Sequence, residues 1–309
     1  MQTEQYGERT AVLAQLGHPR DGHRRILVMI EVYVDESGLH DGARALVVAG
    51  YWGSPAAWKR FEGGWMAALR RHGVHLHEFH ARNLFPRRGR FADPGLDCDV
   101  LEDELLKAIE SAKIHPFAQV LDVDEFWHLS ERERRYLTGA IPNGPNVEDA
   151  GRPKRPYWVP FYGVLDLICG THVPVGSKAH FFYGIDRPAR QYAREVFAQI
   201  KNDEAPYARP SWSDRVGTPS APMAAETPHL QAADTIAYLI WAGADRSFSE
   251  GRETMSVRDE PYGRQRFRAL KNNRGRREFT VLDRVGLDAL LADFRQSDAS
   301  DGQVAGGGA

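Results

Sequence analysis

Residues 26–38 read Ile-Leu-Val-Met-Ile-Glu-Val-Tyr-Val-Asp-Glu-Ser-Gly, and this stretch sets the fold class. Apolar and β-branched residues dominate residues 26–35, the pattern of a largely buried strand, and Glu-Ser-Gly after it is turn chemistry. A second strand is expected over residues 44–52, with residues 38–42 closing a hairpin. Residues 56–72 place Trp58, Phe61, Trp65, Ala68 and Leu69 at helical spacing and stop at Gly73. Residues 74–80 alternate as a short strand, 99–113 form an amphipathic helix and 117–123 a further strand. Five prolines make 142–160 a loop. Beyond it the pattern predicts a helix over 161–170, a strand over 179–186 and a helix over 189–202. A Pro- and Ser-rich loop over 205–222 precedes Thr227-Pro228, an N-cap with proline at the first helical position, which opens a helix to about residue 246. A last helix covers 284–295. Strands alternating with helices predict an α/β fold with a mostly parallel sheet covered on both faces.

The chain of 309 residues, 42% apolar and 27% charged, has an ordinary globular composition. Residues 1–24 read as a polar arm, 25–296 as a single domain, and 297–309, rich in Ser, Asp and Gly, as a disordered tail. Cys98 and Cys169 are the only cysteines, which excludes a disulfide framework and a Cys-rich zinc site and fits a reducing, cytoplasmic setting. The first 25 residues lack the apolar core of a secretory signal, and no apolar run approaches the ~20 residues a membrane span needs, so no membrane partner is expected. A net charge of −2 gives no overall attraction to nucleic acid, so such contact must come from local patches.

Carboxylates recur where a site would form. Asp35 ends the first strand, at the sheet edge where α/β proteins place their sites, although Asp-Glu-Ser-Gly is also good turn sequence. Asp234 lies within Leu-Gln-Ala-Ala-Asp-Thr-Ile-Ala-Tyr (230–238), a helix apolar almost all round. A buried carboxylate is costly unless it is paired or bound to a cation, and Gln231, one turn earlier, is placed to orient it. His75-Leu76-His77-Glu78-Phe79-His80 concentrates metal-ligating types. In a strand, however, His75 and His77 face one way and Glu78 and His80 the other. Glu78 is the favoured ligand of this segment. Asp186 ends the strand over 179–186 and doubles as an N-cap candidate. Asp122 and Asp124 repeat the pattern, with Asp124 expected to be the cap. Carboxylates gathered at strand ends repel, so their cluster implies Mg²⁺ or Mn²⁺.

Tyr-Val-Asp-Glu-Ser-Gly (33–38), His-Glu-Phe-His (77–80) and the 230–238 segment, taken in this order, resemble the bacterial family catalogued as domain of unknown function 3800, itself similar to the ribonuclease H-like superfamily. The resemblance spans residues 26–248. It implies a ribonuclease H-like mixed sheet flanked by helices on both faces, with Asp35 and Asp234 as metal ligands; the carboxylate set together with the basic runs below leads to the expectation of a divalent-metal-dependent nuclease. Glu78 and Asp186 match the middle acidic positions. Where members often carry Asp-Ser-Lys, this chain has Ala-Glu-Thr (225–227), leaving Glu226 as the stand-in. Glu36 supports the site, and His77 is the candidate proton shuttle. For substrate, the basic run Arg264, Arg266, Phe267, Arg268, Arg274, Arg276 and Arg277 is the expected nucleic-acid contact, with residues 82–90 around Phe85 as a second run. The rival expectation is a decayed nucleic-acid or protein-binding module with a partner in a defence or mobile-element system.

Overall fold

The predicted hairpin forms from β1 (Met29–Ser37) and β2 (Ala45–Gly53), antiparallel with Asp35 opposite Ala49. A computed structural model of the chain describes residues 29–139, 152–174, 176–184, 193–194, 196–198, 200, 212–217, 219–251, 262–270 and 278–305. Residues 26–28 of the predicted first strand lie outside that set. After the hairpin come α1 (Pro55–Arg71), α2 (Ala81–Leu84), α3 (Cys98–Ala112), β3 (His115–Asp122), α4 (Val123–His128) and α5 (Glu131–Leu137). Then follow α6 (Trp158–Leu167), β4 (Lys178–Tyr183), α7 (Trp212–Arg215), α8 (Pro228–Ser249), α9 (Gly263–Ala269), β5 (Glu278–Leu282) and α10 (Arg284–Ala305).

The five strands lie in the order β4-β1-β2-β3-β5. Pairs β1–β2 and β2–β3 are antiparallel, while β1–β4 and β3–β5 are parallel. The sheet is therefore mixed, which corrects the mostly parallel expectation: a short turn at Gly38–Gly42 leaves no room for a crossover helix between β1 and β2. Val216 and Ser220, in a segment read from sequence as loop, bridge in parallel to Ala179 and Phe182 of β4.

Alternation along the strands divides the molecule into two cores. On one face Tyr33, Val47, Ala49, Tyr51 and Val120 meet Trp58, Phe61 and Trp65 of α1, Leu101 and Leu105 of α3, and Leu230, Ile236 and Ile240 of α8. On the other, Ile30, Val32, Val34, Leu46 and Val48 meet Trp158, Phe161 and Leu165 of α6. Helices thus cover both faces. Local chemistry fixes their starts: Ser54 accepts from the Ala57 N–H with Pro55 behind it, and Asp97 accepts from the Val100 N–H.

Several expectations are corrected. Residues 74–80 form no strand; Leu76–Glu78 is a 3-10 turn closed by Glu78 Oε2 accepting from the His75 N–H at 2.7 Å. Residues 158–160 belong to α6, because Pro160 falls in its first turn, where a missing N–H costs nothing. Asp122, not Asp124, caps α4, accepting from the N–H groups of Asp124 and Glu125. Thr227 does precede α8, but its hydroxyl donates to the Met223 carbonyl instead of capping. α10 continues past residue 295 into the segment read as tail.

Candidate functional site

β1 has a second face. Ile30, Val32 and Val34 enter one core, so Glu31, Tyr33 and Asp35 point toward α1 and α8. The motif's glycine is required by geometry: Gly38 has φ +89°, and a Cβ there would lie 2.1 Å from the Ala45 carbonyl oxygen and 2.8 Å from Trp241 Cδ1. Trp241 belongs to α8, two turns beyond Asp234. The first motif therefore packs against the helix that carries the second.

Asp234 is buried, at 8% exposure. Its Oδ2 accepts from the Ala81 N–H at 2.8 Å, and His80 Nδ1 lies 2.9 Å from the same oxygen. Asp35 is held well above the usual carboxylate range, first by burial, then by the negative charges of Glu36 and Asp234. Asp35, Glu36 and Asp234 thus form one electrostatic group, drawn from segments about 200 residues apart. The group joins a strand end to a buried helix.

The remaining predicted residues are placed differently. Gln231 does not orient Asp234: its Oε1 accepts from Trp65 Nε1–H at 3.0 Å and its Nε2 donates to the Leu76 carbonyl at 2.6 Å, fastening the 3-10 turn to α8. Glu78 is used in closing that turn, and its pKa is lowered by the His75 N–H, with the charges of His75, His77 and Arg90 adding to this. His77 is exposed and stacks on His75 at 5.6 Å. Glu226 is exposed in a 3-10 turn (Ala224–Glu226) that packs on the Leu76–Glu78 turn. Asp186 lies outside the described residues. Among the described residues, no group of three or more His, Cys, Asp or Glu side chains is arranged to hold a metal ion.

The basic run is divided. Arg264 is exposed, whereas Arg268 is bound to Asp103 at 2.6 Å and Glu110 at 3.0 Å, which clamps α9 to α3. Arg266 and Phe267 lie on α9 with side chains outside the described set, as do Arg274, Arg276 and Arg277 altogether. In the second run, Arg87 pairs with Glu102 and Asp99, and Arg90 with Asp93.

Three groups escaped the sequence reading. His80, not His77, stands at Asp234; the strand assumed for 74–80 had set it on the face of Glu78. Glu31, 7% exposed, has its pKa pushed up to about 7 by burial. His229 is pushed down to about 4 by burial and stacks on Tyr33 at 4.7 Å, which also stacks on Phe182 at 4.5 Å and meets Trp58 edge-on at 4.5 Å. The 31/33/35 alternation held the signal for Glu31. Among the described residues no helix is long and apolar enough to cross a membrane. No family model, no curated protein and no solved structure matches this chain.

Proposed function

We propose that Asp35 and Asp234 hold a Mg²⁺ or Mn²⁺ ion and that the protein hydrolyses phosphodiester bonds of nucleic acid. The observation that supports this reading is electrostatic: a strand-end and a mid-helix carboxylate come from distant segments, and Asp234 is among the charges that raise the pKa of Asp35. Like charges placed together are costly, and a divalent cation relieves that cost. Two carboxylates are an adequate protein contribution for Mg²⁺, which keeps several waters and binds substrate phosphate in its remaining positions. The bound ion would supply a water acidic enough to attack at neutral pH and would neutralise charge on the phosphate. Asp35 and Asp234 would hold it, Glu36 adds negative charge beside Asp35, and the Ala81 N–H donates to the Asp234 carboxylate and so orients it. A mixed sheet with the first acid at the end of β1 and the second on a late buried helix supports the ribonuclease H-like likeness, and with it the nuclease class.

A second reading rests on one observation. Asp234 already caps the backbone of α2 and meets His80, a purely structural use of a buried acid. On that reading the domain binds nucleic acid or protein without cleaving it. Titration with Mn²⁺ and a nuclease assay on single- and double-stranded DNA and RNA separate the two. Wild type is expected to bind Mn²⁺ and cleave, and Asp35→Asn to lose at least about a hundredfold in rate. Absence of Mn²⁺ binding at millimolar concentration, with Asp35→Asn behaving as wild type, establishes the non-catalytic reading.

A further inference from the structure

One helical stripe of α8 carries Asp234, Tyr238 and Trp241 at spacings of four and three residues, so all three share a face. Tyr238 and Trp241 are half-buried, with ring centroids 5.7 Å apart. Buried Phe85 backs Tyr238, nearly parallel at 5.8 Å and 5°. Half-buried Tyr262 completes the wall, 5.3 Å from Phe85 and 6.1 Å from Tyr238. At the far end exposed His40 meets the Trp241 ring edge-on at 5.4 Å, beside Leu39 at 54% exposure. Both the Asp234 carboxylate and the Arg88 guanidinium act electrostatically on Tyr238. Arg88 and Arg82 are exposed, whereas Arg87 and Arg90 of the same run are spent on acidic neighbours.

Clustered aromatic rings, with a guanidinium group close by and an acid on the same helix face, form the chemistry that binds unpaired nucleotides. Bases stack on the rings, and phosphates pair with arginine. A duplex hides its base faces and gains nothing from such rings. We infer that Tyr238, Trp241 and Tyr262, with Arg88, form a stacking platform that leads a single strand to the Asp35–Asp234 pair. The inference rests on the metal-site reading above and adds to it the strandedness of the substrate. It also relocates the aromatic contact. The sequence offered Phe85 as a stacking residue, but Phe85 is inside and supports Tyr238 from behind.

The test uses the full chain carrying Asp35→Asn, so that nothing is cut, and fluorescence anisotropy with a labelled oligothymidylate of about 12 nucleotides and the matching duplex. The parent is expected to bind the single strand more tightly than the duplex. Tyr238→Leu weakens single-strand binding about tenfold, and Tyr238→Phe, which keeps the ring, retains it. Arg88→Ala, a surface change that leaves folding intact, weakens binding and flattens its salt dependence. Equal affinity of Tyr238→Leu and the parent, or preference for duplex, overturns the platform. Mn²⁺ titration of wild type against Asp35→Asn speaks separately to the metal site, so a platform that fails beside an intact metal centre is told apart from a metal reading that fails.

Discussion

The two faces of β1 differ in kind. On one, Ile30, Val32 and Val34 pack with Phe181 and Tyr183 of β4 and Phe161 of α6 in an apolar core. On the other, Glu31 and Asp35 flank Tyr33, and burial drives both carboxyl pKa values upward. Neighbouring β2 needs no such residues: it presents Ala45, Val47, Ala49 and Tyr51 to one core and Leu46 and Val48 to the other. The same strand therefore gains stability on one face and gives some of it up on the other. Buried acids that weaken the fold, with Asp35 acted on by a second acid on α8, are the ground for the site proposed above.

That contrast makes quantitative predictions. The largest effect belongs to the apolar face. Phe181, 1% exposed, packs at a tilt against Phe197 in the core, and Phe181→Ala should lower unfolding free energy by about 3–5 kcal/mol in denaturant titration. A loss below about 1 kcal/mol would mean that this face carries no special share of stability.

Glu31→Gln probes the opposite face, with the opposite sign. Burial raises the folded-state pKa of Glu31 from 4.5 to about 7, so the folded protein binds a proton more tightly than the unfolded chain. Stability from this residue is full below pH 4.5, falls as pH rises, and is lost above about pH 7. Replacement by neutral Gln should change little at pH 4 and stabilise by roughly 3 kcal/mol at pH 8. A difference between variant and wild type that does not vary with pH would show that Glu31 is not held in a desolvating site.

Much of this architecture was legible in local sequence. The hairpin, α1, α3 and α8 carry strong periodicity and punctuating Gly or Pro, and each formed within a few residues of its expected bounds. Asp35 and Asp234 were readable because an acid at the end of an apolar strand, or inside an apolar helix, contradicts its surroundings. What failed depended on partners distant in the chain. Residues 74–80 alternate like a strand, yet Gln231 of α8 takes the Leu76 carbonyl and Glu78 turns back on His75, so a turn forms. Arg268 looked like a phosphate contact because Asp103 and Glu110, about 160 residues earlier, are invisible to a local reading. β5 went unpredicted because its short segment gains its pairing from β3.

The central claim is that Asp35 and Asp234 share one divalent cation centre. Anomalous diffraction from crystals of the full chain soaked in Mn²⁺ tests it most directly. The account predicts an Mn²⁺ peak within about 2.3 Å of a carboxylate oxygen of both Asp35 and Asp234, and loss of that peak in Asp35→Asn. Carboxylates more than about 8 Å apart, too far for even two ions about 4 Å apart to bridge, with no Mn²⁺ peak between them, would contradict it.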